Sequence, residues 1–356
     1  MRGGLGHFAL GLLALSVAGR FGCGKEGGRS TANVEPTCEV ELVPGNSDEF
    51  VEDIESGDVQ LVHSGDSDLQ ERSLITGKIR PLFDVAPDRL HARISALDER
   101  DIFVVSSSGI QRFDRATGEL SLFSPHPEPE DDPALPPNPF YDSIAITETH
   151  VVAFMTDHAA YDFETETYPG YVLSIIDRAS GEQRFLPVDQ PTDGGWLFAR
   201  GEHIFTVNST QIRRGFTEGD VYAHDFETGT PEPFLHSSQF FYPAEYQIKT
   251  WGDFVLATTW PGDGTGANLV RVPLSGGEPQ IVATGVTNEW FAVSGDEAFV
   301  LLHDERGQAG RGRLTAIDLT SGEKRSIGAC DATPFHASDA YVYLYTDQLN
   351  LLRMTP

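Results

Sequence analysis

A short turn that ends in glycine recurs along the sequence at nearly even spacing. Successive final glycines are 41, 63, 48, 48 and 45 residues apart. Glycine adopts positive φ without a steric penalty, and short hairpins with a bulge need a residue that does so. The turns therefore predict one antiparallel strand pair after another. They lie at 75–77, 116–118, 179–181, 227–229, 275–277 and 320–322.

Each turn follows a predicted strand, and a second, more apolar strand precedes that one. Val151 to Met155, followed by Val172 to Asp177, is one example. Apolar runs of this kind favour strands that are covered on both faces. Repeats of roughly 40 to 50 residues are typical of β-propeller blades. The sequence thus predicts an all-β fold, a single β-propeller of seven blades, or six in the alternative count, each of four antiparallel strands.

The two ends of the chain complement each other in this scheme. The last unit stops at Pro356 after three strands, while Glu39 to Val43 is a spare strand near the N terminus. Pairing of this strand with the last unit would close the ring and remove an exposed sheet edge. We therefore expect one propeller domain over residues 38–356.

Residues 1–22 have the pattern of an export signal. Arg2 supplies the positive region, and Phe8 to Gly19 is an apolar run of 12 residues, too short to span a bilayer as a helix. Cys23 is then either a lipid-modified N terminus that begins a tether over 23–37, as in bacterial lipoproteins, or a free thiol after cleavage at Ala18. We expect an outer-membrane lipoprotein or periplasmic protein in the first case and a secreted protein in the second.

The other two cysteines are candidates for a disulfide. Cys38 and Cys330 make an even number once Cys23 is acylated, and an oxidising compartment favours their pairing. The alternation of strand directions, however, starts them on opposite faces of the disc, whereas a disulfide needs Cα atoms within about 7 Å. Both outcomes stay open from the sequence.

The net charge excludes one class of partner. The chain carries 54 acidic against 25 basic residues, a formal charge of −29. Nucleic-acid binding depends on Lys and Arg that neutralise phosphates, so we expect no nucleic-acid partner. The expected partner is a protein, peptide or carbohydrate ligand. Membrane contact is expected only through an N-terminal lipid, and the chain is expected to be a monomer.

One unit of the repeat carries a family resemblance. Asn268 to Phe299, in which VPLSGGEP is followed by an aromatic-bearing strand and a Gly-Asp turn, resembles the repeat of secreted or lipoprotein bacterial β-propellers of the TolB-like or YWTD-like type. Tyr345-Thr346-Asp347 is similar to part of the YWTD box. The resemblance covers 38–356 and implies the propeller fold, while it implies no particular activity.

The longer loops emerge on one face, which we call the loop-rich face. They join the second strand of a unit to the third, and the fourth to the next unit. Loops on a rigid scaffold are where binding is expected. At the axis of this face the sequence predicts a binding site made of Arg93, Tyr141, Trp196, Tyr246, Glu289, Trp290, Phe335 and His336. The alternative role for these aromatic residues is core packing between blades.

Acidic and histidine side chains on the same face are candidate metal ligands or acid–base groups. They are His63, Asp66, Asp157, His158, Asp162, Asp263, His303, Asp304 and Asp347. Their spacing defines no site, so we expect no cofactor, with Ca²⁺ as the alternative. No nucleophile elbow, HExxH, P-loop, CxxC or EF-hand pattern occurs.

These observations predict a non-enzymatic cell-envelope protein that acts as a binding or scaffold module through its loop-rich face, with no catalytic residue. The alternative is a periplasmic or secreted hydrolase or lyase that uses an axial divalent cation held by acidic residues and His336.

Overall fold

The computed structural model describes most of the chain from residue 39 onward. The described residues all belong to one compact unit, Pro36–Pro356. The export signal 1–22, the tether 23–37 with Cys23, and Cys38 lie outside the described residues, so what the sequence predicts for them is untested. The described ranges are 39–43, 54–56, 58–64, 68–84, 90–130, 132–164, 167–192, 196–213, 216–241, 247–261, 266–287, 290–303, 312–330, 332–346 and 351–356.

Twenty-eight β-strands and one 3-10 turn, His158–Ala160, form the regular structure of these ranges. The first fourteen strands are β1 (Glu41–Leu42), β2 (Ile54–Ser56), β3 (Val59–Ser64), β4 (Asp68–Ser73), β5 (Ile79–Asp84), β6 (Leu90–Leu97), β7 (Asp101–Ser106), β8 (Gly109–Asp114), β9 (Leu120–Pro125), β10 (Pro139–Ile146), β11 (His150–Asp157), β12 (Tyr171–Asp177), β13 (Gln183–Val188) and β14 (Trp196–Arg200). The others are β15 (His203–Arg213), β16 (Phe216–His224), β17 (Pro231–Phe241), β18 (Ile248–Trp251), β19 (Phe254–Thr259), β20 (Ala267–Pro273), β21 (Gln280–Val286), β22 (Ala292–Ser294), β23 (Glu297–His303), β24 (Gly312–Asp318), β25 (Lys324–Cys330), β26 (Ala332–Ala337), β27 (Val342–Thr346) and β28 (Leu351–Met354). Within the described ranges no helix is long and apolar enough to cross a membrane.

The strands pair with their sequence neighbours in small antiparallel sheets. Five sheets have four strands each: β2–β5, β6–β9, β10–β13, β14–β17, and β26–β28 completed by β1. The sixth sheet has eight strands, in which the meanders β18–β21 and β22–β25 join through the single pair Val286 and Leu302. The first strands of consecutive units contact one another in the order β2, β6, β10, β14, and β22 contacts β26. An all-β, propeller-like arrangement of small sheets, as predicted from the repeats, is confirmed.

Buried apolar side chains fill the spaces between consecutive four-strand units. In the described part of the chain they form seven clusters. On β11, for example, Ala153 packs toward Phe103 of β7, whereas Val152 and Phe154 pack toward Ile204 of β15. Successive side chains of a strand point to opposite faces, so a strand buried on both faces needs an unbroken apolar run.

The N-terminal strand completes the last sheet. β1 pairs with β28, and Arg353 of β28 donates from Nε to Glu41 at 2.6 Å and from a terminal nitrogen to the carbonyl of Leu74 at 3.2 Å. Leu74 belongs to the turn that follows β4. Tyr343 of β27 also donates to Asp58, which precedes β3, at 2.6 Å. The last sheet therefore packs against the first.

The glycine turns have the geometry that their sequence predicts. The Asp114 carboxylate accepts hydrogen bonds from the backbone N–H of Ala116 at 2.9 Å and of Thr117 at 2.8 Å, and Gly118 has a φ of 74°. The Thr117 N–H, and then the Ala116 N–H, lower the pKa of Asp114. The same capping occurs at Asp177, Asp225 and Asp318. These aspartates therefore cap four of the turns that the sequence predicts.

A strand extension replaces one predicted loop. One of the longer loops that the sequence predicts on the loop-rich face is Asn208 to Gly219, but β15 and β16 pair from Ile204 and His224 out to Arg213 and Phe216. β17 continues beside β16 as far as Phe241. Residues 205–210 read FTVNST, and their β-branched and aromatic members favour strand over loop. The prediction of a loop there is wrong.

Cys330 is one half of a disulfide. It ends β25, is 4% exposed and is disulfide-bonded. The other half lies outside the described residues, so the assignment of Cys38 stays a prediction.

A buried ion cluster fastens the second sheet to the third. Arg178, directly after β12, contacts Asp101 at 2.6 Å and Asp98 at 2.7 Å, and Asp101 is also bound by Arg100 and Arg112 at 2.8 Å. The side chain of Asp101 is 0% exposed and that of Arg178 is 4% exposed. Burial alone would raise the pKa of Asp101, but hydrogen bonds from Arg112, Arg100 and Arg178 outweigh burial and hold it below its usual value.

We expect Arg178→Ala to lower the free energy of unfolding by about 3 kcal/mol, because it removes one partner of a buried charge. The matched control is Arg325→Ala, whose pair with Glu297 is exposed and contributes less than about 1 kcal/mol. Urea unfolding at several pH values measures both variants. Because the pKa of Asp101 is depressed, the stabilisation that its ionised form provides is present above the usual aspartate pKa range and is lost in acid. The difference in free energy of unfolding between wild type and Arg178→Ala therefore narrows below about pH 4. Equal effects of the two substitutions would contradict this role.

Candidate functional site

Two of the predicted axial residues belong to the core. Tyr141 on β10 is 1% exposed and packs between the second and third sheets, and Phe335 on β26 is 0% exposed and stacks on Tyr345 at a centroid distance of 4.3 Å. A ligand cannot reach either ring without repacking. For both residues the structure favours the alternative role, core packing between blades, because their side chains pack against a neighbouring sheet.

Of the other six predicted residues, three have side chains in the described part of the structure and three do not. Trp196 is partly buried against the cluster between the β14–β17 sheet and the β18–β21 meander, and Trp290 against the cluster that contains Phe335. The His336 ring lies 6.4 Å from the Phe335 ring, so Trp290, Phe335 and His336 come together, whereas Tyr141 and Trp196 lie elsewhere. Tyr246, Glu289 and the side chain of Arg93 lie outside the described residues.

Asp142, a carboxyl group on an innermost strand, is not among the site residues that the sequence predicts. The pairing of β10 with β11 shifts register between Tyr141 and Ser143, so Asp142 is the extra residue of a β-bulge. Bulges occur often beside active sites, where they re-aim a side chain. The Thr156 hydroxyl, itself 0% exposed, donates to Asp142 Oδ2 at 2.6 Å and fixes the orientation of the carboxyl group.

The surroundings of Asp142 favour its neutral form. Burial raises its pKa to about 6, against the opposing effects of the Thr156 hydrogen bond and of His158. Asp142 as a whole residue is nevertheless partly exposed. A carboxyl group whose pKa lies near neutral pH is suited to give or take a proton.

An imidazole and a phenol accompany this carboxyl. His158 begins the 3-10 turn after β11, and its ring stacks on Phe140 at 4.9 Å. Tyr168 is 7% exposed, and burial and then the nearby Asp142 carboxylate raise its pKa, while Thr156 interacts with its hydroxyl. We call Asp142, Thr156, His158 and Tyr168 the Asp142 site. It combines a carboxyl group, the hydroxyl group that orients it, an imidazole and a phenol.

The segment that carries the site is acidic. From Phe140 to Asp177 the sequence has seven acidic residues and neither Lys nor Arg. The acidic ones are Asp142, Glu148, Asp157, Asp162, Glu164, Glu166 and Asp177. Such a segment repels an anionic ligand and tolerates a neutral or cationic one.

The predicted candidate ligands do not make a metal site in the described part of the chain. No group of three or more His, Cys, Asp or Glu side chains there could hold a metal ion. Of the predicted set, Asp157 instead caps the 3-10 turn by accepting from the N–H of Ala159 at 3.0 Å, and Asp162 accepts from the N–H of Glu164 at 2.8 Å. Asp66, Asp263, Asp304, Asp347 and the side chain of His63 lie outside the described residues.

No protein family model and no curated protein matches the chain. Solved structures do match. An oligogalacturonate lyase in complex with manganese has a TM-score of 0.57 at 12% identity, over 83% of this chain and 85% of its own. The oligogalacturonate lyase of Vibrio parahaemolyticus has a TM-score of 0.55 at 11% identity, over 90% of each chain. The acylaminoacyl peptidase of Pyrococcus horikoshii has a TM-score of 0.50 at 14% identity, over 85% of this chain and 50% of its own.

These likenesses show the fold, and they correct the expected function. The prediction of a non-enzymatic binding or scaffold protein, and of no enzymatic activity, is wrong, because the fold is shared with two lyases and a peptidase. The alternative of a hydrolase or lyase is the better supported one. The manganese of the first lyase does not fit here: among the described residues Asp142 and His158 lack a third ligand, and we derive no step through a metal.

We expect Asp142→Asn to raise the stability of the protein above pH 6. The folded pKa of about 6 exceeds the usual aspartate value, so the folded state binds more protons, and stability falls as pH rises from about 4 to 6. The neutral amide removes this penalty of about 1 to 3 kcal/mol at pH 7 and has no effect below pH 4. Urea unfolding across pH measures the effect. Glu148→Gln, in the exposed turn at the other end of β10, is the control, and an equal response of both variants would contradict the interpretation.

Proposed function

We propose that this protein is an exported hydrolase or lyase and that Asp142 is its acid–base residue. The observation that carries the proposal is the carboxyl group of a partly exposed residue on an innermost strand, which a bulge displaces and whose pKa burial raises to about 6. Enzymes raise carboxyl pKa values in this way to make a general acid or base for neutral pH.

The residues of the Asp142 site have separate roles in this proposal. Above pH 6 Asp142 is mostly ionised and accepts a proton from water or from substrate, and it returns the proton to the leaving group. Thr156 holds Oδ2 and so fixes the direction of the carboxyl group. His158 and Tyr168 are placed to donate hydrogen bonds to a substrate oxygen that gains negative charge.

The charge of the site favours hydrolysis of a neutral substrate over elimination on an acidic sugar. A galacturonate ring carries a carboxylate, which elimination chemistry must neutralise. The stretch from Asp157 to Gly170, at the same end of the sheet as Asp142, has four acidic residues and neither Lys nor Arg. An anionic substrate of the kind named for the two lyases is therefore disfavoured at this site.

The finer architecture and the cellular context belong to the same proposal. We assign the eight-stranded sheet to two blades, which gives seven blades for the seven buried clusters, in a ring closed by β1. The domain spans 38–356, and a Cys38–Cys330 bridge is assigned to it. The protein is exported and tethered through Cys23, or secreted after cleavage at Ala18, and acts as a monomer without nucleic acid or a bound cofactor.

We expect Asp142→Asn to lower kcat/KM at least about 100-fold, the usual contribution of a general acid or base. The purified protein is assayed with neutral glycoside and peptide substrates for hydrolysis, and with oligogalacturonate for formation of an unsaturated product. Glu148→Gln is the control, because its carboxyl group lies on the same sheet at the opposite end of β10. Wild-type activity that survives in Asp142→Asn would sink the assignment.

We expect Thr156→Val to shift the acidic limb of the pH profile of kcat/KM to higher pH. The Thr156 hydrogen bond stabilises the ionised carboxyl group, so its removal raises the pKa of Asp142. Thr156→Ser, which retains a donor, keeps the wild-type limb. A loss of activity without any shift of the limb would mean that Thr156 only supports the fold.

A further inference from the structure

We propose that the Asp142 site continues into a stacking subsite for neutral saccharide rings, formed by the ring of Phe163 and supported by Tyr161 and Tyr168. This inference rests on the proposed function, since it names the substrate class of the same site. The subsite lies on the connection between β11 and β12, on the loop-rich face.

Phe163 is the observation that demands an explanation. Its side chain is 86% exposed, the largest exposed fraction among the large apolar residues of the described chain. An isolated exposed apolar residue on a mobile loop would need no explanation. Phe163, however, is held in place by its neighbours.

One ring contact, supported by two further contacts of its neighbours, positions the Phe163 ring. It makes an edge contact with the Tyr161 ring at a centroid distance of 5.1 Å, and Tyr161 makes a second edge contact with the buried Tyr168 at 4.9 Å. The backbone on either side is bridged, since Asp162 N–H donates to the carbonyl of Thr167 at 2.8 Å. The exposed ring is thus presented on a preorganised turn, which reduces the entropy lost on binding.

The aromatic row leads from solvent to the proposed acid–base group. Tyr168 is the buried end, where the Asp142 charge acts on its phenol and Thr156 interacts with both groups. Phe163 is the exposed end. The three rings therefore connect Phe163, through Tyr161 and Tyr168, to the surroundings of Asp142.

The polar groups beside the ring select the class of ligand. Asp162 and Glu164 flank Phe163 and are exposed, and the whole connection lacks Lys and Arg. A flat aromatic ring matches the apolar face of a sugar, while adjacent carboxylates accept hydrogen bonds from sugar hydroxyl groups. An acidic sugar, a phosphate or a nucleotide is repelled by the same carboxylates. A neutral oligosaccharide satisfies both features.

The test measures binding with the Asp142→Asn variant, which prevents turnover. Calorimetry with neutral cello-, xylo-, manno-, malto- and chito-oligosaccharides, and with oligogalacturonate as the acidic counterpart, gives the affinities. We expect at least one neutral oligosaccharide to bind and oligogalacturonate to bind at least tenfold more weakly. Adding Phe163→Ala should then weaken neutral binding about tenfold, the scale of one lost aromatic contact, while Phe163→Trp restores it.

The matched control is Ile281→Ala, which removes an apolar side chain that is 61% exposed on β21. It should leave both affinity and unfolding unchanged. Because Phe163 is so exposed, Phe163→Ala should also unfold like the parent, so weaker binding cannot come from misfolding. Unchanged affinity in Phe163→Ala, preference for oligogalacturonate, or binding of no saccharide would each overturn the subsite.

The outcomes separate the subsite from the proposed function. Loss of turnover in Asp142→Asn together with wild-type KM in Phe163→Ala keeps the acid–base residue and rejects the subsite. Binding that depends on Phe163, in a protein that never turns over any substrate, keeps the subsite and rejects the enzyme.

Discussion

Apolar side chains on the two faces of the central strands pack against two different neighbouring sheets. Val152 and Ala153, adjacent on β11, enter two different clusters. Removing apolar surface from water is the main favourable term in folding. In this protein most of that surface is buried between neighbouring sheets. Each sheet therefore depends on both of its neighbours, and no unit of four strands would be stable alone.

This mutual burial explains where polar chemistry is found. The middle of each sheet admits few polar groups, so charged residues collect at the strand ends. One end is used for fastening, as Arg178 and Asp101 show. At the other end the longer connections and the bulge at Asp142 provide irregular backbone on a rigid frame. A carboxyl group there is close enough to the core to be desolvated and close enough to the surface to meet a ligand.

The repeat architecture was predictable because its signals are local. A turn such as that at Gly118 needs a few adjacent residues, and the apolar run of β11 records the burial of both faces in the sequence itself. The candidate site was only half visible. His158 and Asp162 were recognised as polar residues on the loop-rich face, but Asp142 reads as an ordinary strand residue. Its bulge depends on register with β11, and its pKa depends on burial among residues far along the chain.

The pairing of β1 with β28 sets the order in which the molecule can be completed. Glu41 and Arg353 are 312 residues apart in the sequence, yet β1 and β28 lie side by side and these two residues face each other. The sheets from β2 to β25 pair strands that are close in sequence, whereas the last sheet needs strands from both ends of the domain. Contacts of such long sequence separation form slowly. Until β1 reaches β28, the first and last units each keep an uncovered apolar face, so the pairing of these two strands is expected to be a late step of folding.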